Sequence, residues 1–318
     1  MSLRVPLLFS PLLLLAAGCV GHGPGIDTSG GDSEAVQQLK TVFVVVMENH
    51  NWSDIEASIS APYLHQTLLP ESSYALNYKG PGPHPSEPNY LWLEAGDNFG
   101  IHNDKEPSDN HQSTTDHLVT QLEAAGHTWK SYQQGIDGTT CPLTHQGDYY
   151  PKHNPMIYFD DVTDGLDPNS TRCIEHERPL TELDTDLTND TVADYNFIIP
   201  DECHDMHNSC APTNNKIRQG DDWLAEWVPK ITASQAYQDG GVLLITWDEA
   251  EPQLNCPLAN CPIGFIALSP FAKGGGYTNE IAYTHSSTLR TVEEIFGVPY
   301  LRDAQNATDL RDLFTTTL

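Results

Sequence analysis

Several short runs carry side chains able to do chemistry. "VVMENH" ends with Glu48, Asn49 and His50, and "LLITWDE" ends with Asp248 and Glu249. Carboxylates joined by an amide oxygen are hard ligands, and gathered in one place they repel one another unless a cation lies between them. Mg²⁺, Ca²⁺ or Mn²⁺ suits Glu48, Asn49, Asp248 and Glu249, with Zn²⁺ as the alternative. Taken singly, Asn49 reads equally well as a helix cap and Glu249 as a solvated acid. "DECHDMHNSC" sets Asp201, His204, Asp205 and His207 close together. Imidazoles beside carboxylates can ligate metal, hold an anion or protonate a leaving group. "YTHSS" adds His285 ahead of a helix, and "PKHNP" adds Lys152, His153 and Asn154. Lys130 in "WKSY" is either a substrate contact or a solvated surface lysine.

"HPSEPNYLWLEAG" raises the question of a nucleophile. Pro88 suits the start of a helix expected over 87–95, which puts Ser86 or Glu87 at the N-cap beside free backbone amides. A serine there fits a plain cap. It also fits an attacking oxygen, because the helix start favours an anion around its electrophile and a nearby cation lowers the hydroxyl pKa. The G-x-S-x-G elbow of esterases is absent.

These groups need a frame that brings them to one edge. "TVFVVVM" (41–47) is a continuous β-branched run, as expected of a strand buried on both faces. Residues 128–133, 195–200, 241–247 and 263–268 read as further core strands. Residues 113–126, 221–237 and 286–296 read as helices. The alternation predicts an α/β fold, a three-layer α/β/α sandwich around a mostly parallel sheet. In such sheets ligands bind beyond the carboxyl ends of the strands, where the 48–49, 201–207 and 248–249 clusters fall.

Composition narrows the partners. The 318 residues include 44 acidic and 15 basic side chains, a formal charge of −29. Such a surface repels polyphosphate backbones, so no nucleic-acid partner is expected. A site for an anionic substrate must then draw on a metal, on histidines or on the few lysines. The N-terminal "MSLRVPLLFSPLLLLAAGCVGHG" reads as an export signal over 1–19, and "AAGC" resembles a lipobox with Cys19 as the lipidated residue. An ordinary secretory signal is the alternative. The Gly/Ser/Asp-rich stretch 20–38 reads as a flexible tether, leaving 39–318 as one catalytic domain. The protein is thus expected to be exported, a cell-envelope lipoprotein or secreted, with membrane contact through its anchor. The other six cysteines, Cys141, Cys173, Cys203, Cys210, Cys256 and Cys261, are expected to form disulfides between neighbours: 141 with 173, 203 with 210, 256 with 261.

Taken in order, "VVMENH", "HPSEPNYLWLEAGDNFGI", "WKSY", "KHNPMIYF", "PDECHDMHNSC", "LLITWDE" and "YTHSSTLRTVEEIFGVPYL" resemble the bacterial phosphoesterase family. That family holds secreted acid phosphatases and phospholipases C, and it is a branch of the alkaline phosphatase-like superfamily. The resemblance runs from about residue 40 to 300 and is strongest to the acid phosphatase branch, which includes phosphatidylinositol-3-phosphatases. It implies an alkaline phosphatase-like fold and hydrolysis of phosphate monoesters through a phosphoserine, on a phosphorylated small molecule or phospholipid head group. It places Ser86 as nucleophile and Glu48, Asn49, Asp248 and Glu249 as metal ligands. His207 and His285 match family histidines near the phosphate, one of them the general acid. Asn103 matches a phosphate-orienting amide, with Asp104 as the alternative register; Lys130, Lys152, His153 and His204 join as substrate-binding residues. Glu249 stands where some relatives have Asp, His204 where others have Asn, and "ENHNW" replaces the commoner "ENHSF"; no required group is lost. A phospholipase C-type phosphodiesterase is the runner-up. A non-catalytic surface-binding lipoprotein is the alternative of another class, and a degenerate member would have lost the nucleophile or a metal carboxylate.

Overall fold

The computed structural model describes residues 38–82, 84–251 and 261–318. Its frame is an eight-stranded sheet made of Thr41–Met47 (β1), Ser73–Ala75 (β2), Trp129–Gln133 (β4), Glu177–Pro179 (β5), Tyr195–Ile199 (β6), Gly241–Trp247 (β7), Phe265–Leu268 (β9) and Tyr277–Asn279 (β10). The order is β10-β2-β9-β7-β1-β6-β4-β5. A small sheet pairs Tyr78–Lys79 (β3) with Pro262–Ile263 (β8) and Tyr283–Thr284 (β11). β1, β6 and β7 carry almost no polar alternation because helices cover both faces, and every residue of β6 and β7 is buried. The expected core strands all form and the sheet is mostly parallel. One departs in direction: β9 runs antiparallel to both β7 and β2.

The helices shift by a few residues for identifiable reasons. The helix expected over 113–126 begins only at Leu118, because His117 is held extended (φ −150°, ψ 166°) between buried Glu94 and half-buried Asp161. The one expected over 221–237 starts earlier, at Lys216, where the Asn215 side chain accepts from the Arg218 N–H, and it ends at Ala233. Ser86–Ala95 closes on Gly96 in the left-handed region (φ 68°), the usual helix stop. Disulfides Cys141–Cys173 and Cys203–Cys210 form as expected, with Cα separations of 5.4 and 5.6 Å. The expected 256–261 pair includes Cys256, which lies outside the described residues, as does Cys19. No described helix is long and apolar enough to cross a membrane.

Candidate active site

β1 and β7 pair in parallel through Met47 and Trp247, so Glu48 and Asp248 leave the sheet as neighbours. The Asn49 N–H donates to Asp248 Oδ1 (2.9 Å) and its Nδ2 to Glu249 Oε1 (2.8 Å). Asn49 therefore braces the opposite loop rather than capping a helix. On the other side of β1, the Glu48 N–H donates to the Asp205 carbonyl (2.8 Å), which draws the loop after β6 to the same edge.

The serine arrives from outside the sheet. The helix begins at Ser86 with Pro85 at the N-cap, so Ser86 is the first helical residue and not the expected cap. Asp104 takes the capping role, its Oδ1 accepting from the Glu87 N–H (3.0 Å). Ser86 Oγ is thereby released, and it donates to Glu48 Oε2 (3.1 Å). Asn89 Nδ2 donates to Glu249 Oε2 (3.2 Å), and Tyr90, one turn beyond Ser86, donates to Glu48 Oε1 (3.0 Å). One helix start is thus fastened to both acidic loops.

Basic side chains ring the acids. His153 Nε2 lies 2.9 Å from Glu48 Oε1 and its Nδ1 3.9 Å from Asp205 Oδ2, with its ring stacked on Tyr90. Lys152 Nζ stands 3.7 Å from Asp104 and 3.5 Å from Glu202. His207 Nδ1 is 3.4 Å from Glu202, and His84 pairs with Glu249.

The electrostatics are uneven. Burial would raise the Glu48 carboxyl, but the His153 charge and hydrogen bond and the Lys152 charge outweigh it and hold Glu48 well below the usual range. Asp248 is pushed well up by burial and by the Glu48 and Glu249 charges; Asp205 is pushed well up by burial and by Glu48. Glu249 is raised by burial, which its bond to His84 only partly offsets. Asn49 Oδ1, Asp205 Oδ2 and Asp248 Oδ2 are buried without a hydrogen-bond partner. Unpaired buried oxygens of this kind are costly, and a bound cation is one of the few groups that satisfies several at once. The donor chemistry of Glu48, Asn49, Asp248 and Glu249 would suit a hard divalent ion: two of their oxygens are orphaned and three of the four side chains are carboxylates.

Not every expected residue joins the cluster. His285 is fully buried with both ring nitrogens engaged: Nε2 donates to the Asp248 carbonyl (2.6 Å) and Nδ1 accepts from Tyr78 (3.0 Å). Burial brings its pKa down to about 4, so it is neutral and positions the Asp248 loop; it does not serve as a proton donor. Lys130 is no substrate contact, because Glu182 (3.0 Å) and Asp186 (2.6 Å) hold its Nζ. His204 is bound to Asp201 (2.6 Å) and lines a separate cavity of about 400 Å³ with Gln134, Trp223 and Trp227. Asn103 Oδ1 accepts from Asn110 (2.8 Å) and the Lys105 N–H; Asp104 is the neighbour that reaches the helix start and Lys152. With the Glu87 amide already capped by Asp104, the helix start offers an anion less than the sequence suggested.

Sequence reasoning left out Tyr90, Asn89 and His84. The helical spacing of Asn89 and Tyr90 from Ser86 was the available signal for the first two. For His84, on an irregular stretch, no periodicity existed to read.

Known proteins extend this picture. A model of the Phosphoesterase family matches residues 69–299. The phosphatidylinositol-3-phosphatase of Mycobacterium tuberculosis is 26% identical over 94% of this chain and 90% of its own length. The acid phosphatase of Aspergillus fumigatus is 27% identical over 81% of this chain; the chain spans 55% of that enzyme's length. Among solved structures, murine ectonucleotide pyrophosphatase/phosphodiesterase 5 aligns with a TM-score of 0.56 at 11% identity, over 87% of this chain and all of that one. A Vibrio parahaemolyticus protein of the alkaline phosphatase superfamily aligns at 0.54 and 12%, over 85% and 71%. At such identities the likeness shows the fold alone, one shared with these proteins.

Proposed function

We propose, on the premise that this chain belongs to the Phosphoesterase family and is a phosphoric ester hydrolase, that it cleaves phosphate monoesters with Ser86 as nucleophile. The observation that carries this reading is Ser86 Oγ, released from capping and hydrogen-bonded to Glu48 beside three further acids. A divalent cation held by Glu48, Asn49, Asp248 and Glu249 would lower the Ser86 hydroxyl pKa and neutralise charge on the phosphoryl group. Glu48, kept ionised by His153 and Lys152, orients the Ser86 hydroxyl. Lys152 supplies positive charge for the phosphate in an otherwise acidic protein. Ser86 Oγ loses its proton to solvent and attacks phosphorus in line, the bond to the alcohol oxygen breaks, and phosphoserine forms. His207, its pKa raised by the bond to Glu202, gives its proton to the departing oxygen, which suits mildly acidic conditions. Water then cleaves the phosphoserine.

The named relatives favour a phosphorylated small molecule or a phosphoinositide head group as substrate. Export, a lipid anchor at Cys19 and a catalytic unit over 39–318 belong to the same proposal. The first test is Ser86→Ala on p-nitrophenyl phosphate: turnover should fall by roughly a thousandfold or more, with the melting temperature little changed. Wild-type-like turnover in that variant would sink the assignment. Comparing rates on phosphatidylinositol 3-phosphate and on phosphatidylcholine separates a monoesterase from a phospholipase C-type diesterase.

A further inference from the structure

The loops that carry the catalytic acids also bring together His50, Asp54 and Glu251. One ligand atom from each lies within 4.8 Å of the others. His50 follows Glu48 and Asn49 on the loop after β1, and Glu251 follows Asp248 and Glu249 on the loop after β7. Asp54 comes from the short helix Trp52–Ile55 just beyond, so neighbouring residues of these two segments meet in two different clusters.

His50 is the informative member. It is 2% exposed, and neither ring nitrogen makes a well-formed hydrogen bond; the Met206 backbone acts on the ring without reaching that geometry. Its Nδ1 lies 3.8 Å from Glu251 Oε2. A buried imidazole whose ring nitrogens lack a well-formed partner is costly to keep, and a ligand is the simplest group that would satisfy it. Glu251 is 35% exposed at the side chain, which leaves a route for an ion. Its other oxygen, Oε1, is taken by Lys216 (2.6 Å), so Oε2 is the one left to face His50. Asn51, between the two ligand positions, donates from Nδ2 to the Glu251 carbonyl (3.0 Å) and keeps a buried Oδ1 without a partner.

We propose that His50, Asp54 and Glu251 form a second divalent-cation site, distinct from the one around Ser86, whose ion ties the loop after β1 to the loop after β7. An imidazole with two carboxylates suits Zn²⁺ or Mn²⁺ better than Ca²⁺ or Mg²⁺. The site positions the loops and takes no part in the chemical step.

The test is bound metal per chain, measured by plasma mass spectrometry on full-length protein stripped with chelator, reloaded with Mn²⁺ or Zn²⁺ and desalted. Wild type should hold two ions, Asp54→Asn/Glu251→Gln one, and Glu48→Gln/Asp248→Asn one. His50→Gln, a milder change, should weaken the second ion about tenfold or more and abolish the corresponding step in melting temperature on metal addition. Equal metal content in wild type and Asp54→Asn/Glu251→Gln overturns the second site. Loss of an ion in that variant, with none lost in Glu48→Gln/Asp248→Asn, supports the second site and instead overturns the cation at Ser86.

Discussion

Two groups of buried acids in this protein are treated in opposite ways. In the first, the helix that starts at Ser86 carries Glu94 near its far end, where Glu94 Oε1 meets His117 Nδ1 (2.7 Å) and the Val119 N–H (2.9 Å). His117 Nε2 faces Asp161 (3.1 Å), and Asp161 in turn binds Thr120 (2.7 Å) and Arg172 (3.0 Å). The signs alternate from Glu94 to Arg172. Burial would raise Asp161, but its bonds to His117 outweigh that and hold it well below the usual range; His117 is raised by the two acids despite burial. At the other end of the same helix, Glu48, Asp205, Asp248 and Glu249 crowd together, and three of them are pushed up. The first cluster is largely balanced by the protein's own side chains, although burial still raises Glu94, whose second oxygen has no partner. The second is left short of positive charge, which is what an ion-binding and anion-processing site requires and a structural network does not.

The sharpest way to break that contrast is Asp248→Asn. If the acids at Ser86 are strained for function, removing one charge should cut p-nitrophenyl phosphate turnover by roughly a hundredfold or more. The metal-free protein should meanwhile melt at the same or a higher temperature, because a disfavoured buried charge has gone. A lower melting temperature in the metal-free variant would show that Asp248 is structural and place both clusters in one class. His117→Ala is the mirror experiment. It leaves Glu94 and Asp161 facing each other without their shared partner, so unfolding free energy should fall by about 3–5 kcal/mol, read by urea denaturation. Turnover per folded molecule should hardly move.

How much of this contrast was legible in the sequence depends on what fixes each residue. Glu48, Asn49, Asp248 and Glu249 could be read because two apolar, β-branched runs announce buried strands, and whatever follows such a strand lies at the ligand edge. The direction of β9 could not, since its apolar run reads the same in either sense. Ser86 could be located but not its state: the Asp104 that frees it from capping is distant in sequence, and no local pattern links them. His285 and Lys130 fared worse because a side chain's partner is a tertiary fact. Nothing in "YTHSS" says that a backbone carbonyl of the 248 loop holds the ring, and nothing in "WKSY" shows Glu182 and Asp186 waiting on a neighbouring helix. The His117 network was missed altogether, its members being scattered over the chain.

A third kind of buried acid lies between the two extremes and contributes to the pH response of the fold. Glu177 accepts from Asn154 Nδ2 (2.7 Å) and Glu293 from the Leu301 N–H (2.7 Å), and each keeps a second oxygen that is buried and unpartnered. Burial raises both carboxyls to about 8, from an ordinary value of 4.5. A group whose folded pKa is raised contributes stability that is full below the unfolded value and is lost as pH climbs through the folded one. Stability should therefore decline between pH 4.5 and 8, with a melting temperature lower at pH 8 than at pH 5 by about 5 °C or more. Glu177→Gln/Glu293→Gln, which fixes the neutral form, should flatten that decline. An unchanged slope in the variant would mean that neither carboxyl is responsible.

The smallest effect is expected at Lys130, and it tests where the site ends. Its ammonium sits between Glu182 and Asp186, partly exposed at 22%, while Asp186 also accepts from the Tyr132 hydroxyl (2.7 Å). Lys130→Met keeps most of the aliphatic stem and removes only the charge, so the loss should be about 1 kcal/mol or less, as for other partly solvated ion pairs. Neither kcat nor KM for p-nitrophenyl phosphate should change, because the charge is already spent on two acids of a structural helix. Lys152→Met supplies the contrast: its ammonium stands among Asp104 and Glu202 and lies within the field of Glu48 and Asp248, so KM should rise by about tenfold. A KM change at Lys130 with none at Lys152 would exchange the two lysines' roles and move the phosphate-binding edge of the site toward β4.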